Sequence, residues 1–136
     1  GTISLFMAQK AGKVVGIESV PQAIEDAREN AIFNKIENTF FEVGDMQKVL
    51  NSSITDKFGM PDVVVVDPPR NGMHHDVIKQ LLIMAPDKIV YVSCNPATQA
   101  RDTTLLAEMF MVKEVQTVDM FPHTHHVENV ILLQKR

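Results

Sequence analysis

Apolar and polar positions along the chain follow two alternating rhythms. Residues 13–18, Lys-Val-Val-Gly-Ile-Glu, are short, β-branched and end in an acid, which predicts a strand. Ser19 with Pro21 then opens a helix, and Val20, Ile24, Ala27 and Ala31 fall on one of its faces. Residues 39–43 predict a second strand, followed by Gly44-Asp45. The four valines at 63–66 are continuously apolar, the pattern of a strand covered on both faces in a parallel sheet. Val77, Ile78, Leu81, Leu82 and Ala85 mark an amphipathic helix. Residues 89–92 predict another buried strand, and 96–109 a helix. Two strands, 112–120 and 127–133, close the chain with no helix between them, so an antiparallel hairpin at one edge is expected. The alternation predicts an α/β fold, an open and mostly parallel sheet with helices on both faces.

Composition narrows this picture. The chain has 136 residues, 45% hydrophobic and 22% charged, enough for one domain spanning 1–136 with a real core. A single cysteine excludes an internal disulfide and a cysteine-based metal cage, and fits a reducing, cytoplasmic setting. No apolar run approaches a membrane span, and the first residues lack the pattern of a signal peptide, so no membrane is expected. A net charge of −4 argues against a free-standing nucleic-acid binder, which needs clustered Lys and Arg. The basic end, Gln134-Lys135-Arg136, reads as a solvated tail.

In sheets of this kind ligands sit beyond the carboxyl ends of the strands. Those ends carry Glu18, Asp45, Asp67-Pro68-Pro69-Arg70 and Ser93-Cys94-Asn95-Pro96. Glu18 is placed either to accept two hydrogen bonds from a ribose diol or to sit as a solvated acid near a helix N-terminus. Asp45 is an adenine-edge acceptor or a helix cap, and in isolation the cap is the better explanation. Two prolines after Asp67 remove two donors and fix the path out of the strand, which is more than termination requires. Most lone cysteines are small buried hydrophobes. Cys94, however, has polar, turn-forming neighbours, and the helix that follows stabilises a thiolate, so its place favours a nucleophile. Further on stand Phe121-Pro122-His123-Thr124-His125-His126-Val127-Glu128. His123 and His125 would share a metal only in an extended segment, and no partner motif completes a site; no metal is expected. A stiff loop that presents the carboxylate of Glu128 is the more economical reading.

Taken in order and spacing, Asp67-Pro68-Pro69-Arg70, Ser93-Cys94-Asn95-Pro96 and the segment ending at Glu128 resemble the RNA 5-methyluridine methyltransferases, the RumA and TrmA group. Gly1-Thr2-Ile3-Ser4-Leu5 is similar to the second half of that family's glycine-rich S-adenosyl-L-methionine loop, and the likeness covers essentially the whole chain. The run from Cys94 to Asp102, with Asp119-Met120-Phe121-Pro122-His123-Thr124, resembles the ribosomal-RNA branch more than the tRNA branch. The resemblance implies a class I methyltransferase catalytic domain that methylates carbon 5 of a uridine. Cys94 would be the nucleophile and Glu128 the base. It further implies that Thr2, Glu18, Asp45 and Asp67 serve the cofactor, and that Arg70, Asn95 and His123 meet RNA, ribosomal RNA ahead of tRNA.

The chain begins inside the glycine loop, so the family's central first strand is missing. Its loss should leave the strands ending at Glu18 and Asp67 each with an open edge, repaired by closure of the gap, by a partner chain or by an upstream segment. The family's usual N-terminal RNA-binding domain, sometimes bearing an iron–sulfur cluster, is also not in this stretch, which points to a fragment. Two rivals stay open. A non-catalytic nucleotide-binding module of the same fold would keep Glu18 and Asp45 without needing Cys94. An amino-methyltransferase would want an aromatic residue where Arg70 stands.

Overall fold

The computed structural model describes every residue except Asn51, Phe121 and His125. Gly1–Phe58 forms one unit of the chain and Gly59–Arg136 the other.

The first unit runs α1 (Thr2–Met7), β1 (Val14–Glu18), α2 (Pro21–Phe33), β2 (Thr39–Val43), α3 (Met46–Val49) and α4 (Ser52–Phe58). β1 and β2 pair in parallel, with Val14 opposite Thr39 and Glu18 opposite Val43. The expected face of α2 supplies the core here: Ile24, Ala27 and Ala31 bury against Phe41, with Leu5 beside them. Val20, assigned to the same face, is exposed and serves as the helix N-cap without a side-chain bond. Ser19 therefore does not cap α2; its hydroxyl donates to Glu18 instead. Asn38 Nδ2 donates to the carbonyls of Ala8 (2.9 Å) and Ala11 (2.8 Å) and closes the turn after α1.

The second unit runs β3 (Val63–Val66), α5 (His75–Met84), β4 (Lys88–Ser93), α6 (Pro96–Leu106), β5 (Phe110–Val118) and β6 (Glu128–Lys135). Its sheet has the order β3-β4-β6-β5. β3 and β4 are parallel, whereas β6 lies antiparallel to both β4 and β5. The terminal hairpin is thus as expected, with β5 at the edge. Ile89 and Tyr91 of β4, Ile131 and Leu133 of β6, Leu81, Leu106 and Phe110 are all buried. α5 stops at Ala85, whose left-handed backbone (φ 45°) lets its N–H reach the Leu81 carbonyl at 2.8 Å. α6 ends at Leu106, three residues before the expected end.

The valine run forms its strand, but burial rises along it from an exposed Val63 to a buried Val66, so the covering expected on both faces is incomplete at its start. β3 pairs only with β4 among the described residues, and Val63 is 40% exposed. β1 likewise pairs only with β2 among the described residues. Among the described residues no helix is long and apolar enough to cross a membrane.

Candidate active site

Parallel pairing brings the carboxyl ends of β1 and β2 side by side, and the Gly44 N–H donates to the Glu18 carbonyl at 2.9 Å. Glu18 and Asp45 therefore leave the sheet together. Glu18 Oε1 accepts from the Val20 N–H (3.0 Å) and the Ser19 hydroxyl (3.1 Å). The Val20 bond above all holds this carboxyl below its ordinary range, against an opposing effect of burial. Asp45 accepts from Gln47 N–H at 2.9 Å and caps α3, so the structural alternative for this residue is realised. Thr2 is exposed at the first position of α1, which packs against β1. Thr2, Glu18 and Asp45 thus share one corner of the first unit.

In the second unit Asp67 directly follows β3. It keeps contact with solvent, yet partial burial pushes its carboxyl above the ordinary range. The segment that follows is stitched to α6. The Arg70 carbonyl accepts from Asn95 Nδ2 (3.0 Å) and Thr98 Oγ1 (3.1 Å). Gly72 adopts φ 81°, and a Cβ there would stand 2.6 Å from Asp102 Oδ2 and 2.6 Å from Arg101 Nη2, so this position demands glycine.

Asp102 is the hub of this corner. It is fully buried, and its Oδ2 accepts from Met73 N–H and the Tyr91 hydroxyl, both at 2.7 Å. Its Oδ1 takes Arg101 Nε at 2.9 Å, while Arg101 Nη2 also donates to the Asn71 carbonyl at 2.9 Å. Burial, and then the bond to Asp102, push the Tyr91 hydroxyl well above its usual range, so it stays a donor. Replacing Asp102 by alanine strands two buried donors and is expected to cost about 3–5 kcal/mol. Tyr91→Phe removes a single charge-assisted bond and should cost about 1.5–3 kcal/mol, both read from urea denaturation.

Cys94 lies in a turn locked at both ends. The Ser93 hydroxyl accepts from Asn95 N–H (3.0 Å) and donates to the Asn95 carbonyl (3.1 Å). Asn95 Oδ1 then caps α6 by accepting from Ala97 N–H at 3.1 Å. The thiol is half-buried, neither sealed in the core nor free in solvent. α6 begins two residues later.

Strand register brings Glu128 to the same end of the sheet as this turn. The β4–β6 ladder pairs Tyr91 with Ile131 and ends with Ser93 opposite Asn129. Cys94 follows the last paired residue of β4, and Glu128, half-buried, precedes Asn129 at the first position of β6. The burial alternation of β4 and β6 puts Ser93 and Asn129 on the α6 side of the sheet. Glu128, one position out of phase with Asn129, belongs to the opposite face of β6.

Other expected residues divide. Asn95 and Arg70 are held together by the bonds above. His123 is not tied to them: it is exposed in the β5–β6 turn with φ 77°. The neighbour of Arg70 is instead His126, whose two ring nitrogens both lie 3.4 Å from an Arg70 Nη. The three-histidine run was the signal for His126, but it does not say which ring faces the arginine. Phe121 and His125 of the same motif lie outside the described residues. Gln99 and Asp102 were also missed, because polar residues on a helix read as solvent-facing.

A family model described as tRNA (Uracil-5-)-methyltransferase matches residues 1–136. The chain belongs to this family. An uncharacterized RNA methyltransferase of Bacteroides thetaiotaomicron is 57% identical over all of this chain and 30% of its own length. One of Porphyromonas gingivalis is 58% identical over 98% of this chain and 29% of its own. The chain thus spans about a third of the length of these relatives. Among solved structures, the Pyrococcus abyssi tRNA (uracil-54, C5)-methyltransferase in complex with S-adenosyl-L-homocysteine superposes with a TM-score of 0.83 at 39% identity, covering 98% of this chain and 31% of that one. The N-methyltransferase NodS of Bradyrhizobium japonicum reaches a TM-score of 0.76 at 16% identity over 99% of this chain and 72% of that one, a likeness of fold alone. The fold is therefore that of the class I methyltransferases, with parallel strand pairs and a C-terminal antiparallel hairpin.

Proposed function

We propose that the protein methylates carbon 5 of a uridine in RNA, with S-adenosyl-L-methionine as methyl donor and Cys94 as a covalent catalyst. The observation that supports this is the β4–β6 register, whose last pair, Ser93 opposite Asn129, is flanked by Cys94 on one side and Glu128 on the other. Glu18 suits the donor, since a carboxylate held in its ionised form is the acceptor a ribose diol needs. Thr2 and Asp45 stand with it, and the family resemblance assigns Asp67 to the donor as well. When bound, the donor supplies an electrophilic methyl group on a sulfonium.

The residues of this chain do the rest. Carbon 5 of uracil is a poor nucleophile. The Cys94 thiolate adds to carbon 6, and the displaced electron pair makes carbon 5 carbanion-like, able to take up a methyl group. Glu128 then removes the proton from carbon 5. That C–H pair re-forms the ring double bond as the carbon 6–sulfur bond breaks, returning its electrons to Cys94. The target base must leave its stack to reach the thiol. Arg70, Asn95 and His123 are placed toward RNA in this proposal, Arg70 together with His126 as a phosphate or base-edge contact.

The substrate we favour is ribosomal RNA, on the motif run from Cys94 to Asp102. The 39% identity to the Pyrococcus abyssi tRNA enzyme favours a second reading, a tRNA uridine. Full-length protein incubated with methyl-labelled donor and each RNA separates them. Label recovered as 5-methyluridine from ribosomal RNA supports the first, and from tRNA alone the second. Label on another nucleotide contradicts both.

A further inference from the structure

Buried polar side chains are costly unless their bonding is complete. Among the described residues the buried polar side chains other than Tyr91 are Ser93, Gln99 and Asp102. All three lie within nine positions of Cys94. Ser93 locks the thiol's own turn, and Asp102 anchors the segment after β3. Gln99, 2% exposed, does something different. Its Nε2 donates to the Tyr91 carbonyl of β4 at 2.8 Å and to the Asn129 carbonyl of β6 at 3.0 Å. Its Oε1 accepts from Asn129 Nδ2 at 2.6 Å. Asn129 Oδ1 in turn accepts from the Thr117 hydroxyl of β5 at 2.9 Å.

One helix side chain is thus bonded to both strands whose ends carry the thiol and the carboxylate. An apolar residue of like volume would fill the same space without needing these bonds. The cysteine turn has its own locks to Asn95 and Arg70, independent of Gln99. Glu128, by contrast, sits at the first residue of its strand, next to Asn129 and opposite Val118 of β5.

We propose that Gln99 and Asn129 are positioning residues that hold the Glu128 carboxylate at a set distance from Cys94. The proposal rests on the assignment of Cys94 as nucleophile and Glu128 as base. It predicts that loosening the pair spares thiol addition and slows the final deprotonation, in which the carbon 5 proton passes to Glu128 and the sulfur is expelled. A purely structural role would depress both halves together.

The test uses full-length Gln99→Met and Asn129→Leu proteins with methyl donor and two RNAs. On RNA bearing 5-fluorouridine, where no proton can leave, both variants should form the covalent adduct at close to the unaltered rate. On ordinary RNA, release of methylated product should fall about 10–100-fold, and a methylated protein–RNA adduct should accumulate. Thr117→Val, which removes only the outer bond, should shift the same partition by less; it decides the matter if either core variant fails to fold. Equal loss in both assays, or loss in neither, overturns the proposal. If the unaltered protein itself forms no adduct, the nucleophile assignment fails, and this proposal with it.

Discussion

The Cys94→Ala protein is expected to lose methyl transfer to uridine by about 10⁴-fold or more while remaining folded. Without the sulfur there is no addition at carbon 6, and carbon 5 never gains the electron density to accept a methyl group. Binding and orientation of the RNA alone do not substitute for that addition. The fold should be little affected, because Cys94 is only half-buried and its turn is held by Ser93, Asn95 and the Arg70 carbonyl, not by the thiol. A urea melt alongside the activity assay separates the two effects. A variant that keeps its turnover would remove Cys94 from the mechanism.

Glu128→Gln should fail at a later point. The amide has the size of the acid but cannot take up a proton, so addition and methyl uptake proceed and deprotonation stalls. Turnover is expected to fall about 10²–10⁴-fold. Ordinary uridine RNA should then be retained on the protein through denaturing electrophoresis, whereas Cys94→Ala should retain none. The contrast matters more than either loss, because it assigns the two residues to successive steps. Loss of retention in both variants would place Glu128 in RNA binding and not in proton removal.

Much of this was legible along the chain, and the failures have physical causes. Short β-branched runs gave β1, β2, β3 and β4, since a strand's pattern is local. The valine run at 63–66 could not announce whether both its edges are paired, because that is decided by strands elsewhere in the sequence. α1, α3 and α4 have six, four and seven residues, too few turns for an apolar period to emerge. Ser19 looked like a cap, but its hydroxyl is taken by Glu18.

The site shows the same division. Asking what stands at each strand end picked out Cys94 and the acids. Which of them meet depends on the antiparallel register of β4 and β6, and a motif gives that only indirectly. Gln99 and Asp102 share the inward face of α6 with Leu106. A polar stripe on a helix reads as its wet side until the partners on β4, β6 and the loop before α5 are known.

The most direct measurement is mass spectrometry of the full-length protein after incubation with methyl donor and RNA carrying 5-fluorouridine at the target position. After digestion with protease and nuclease, the peptide containing Cys94 should carry the mass of a methylated fluorouridine nucleotide. If that peptide is recovered unmodified while ordinary RNA is still converted to 5-methyluridine, the thiol is not the nucleophile and the account is wrong.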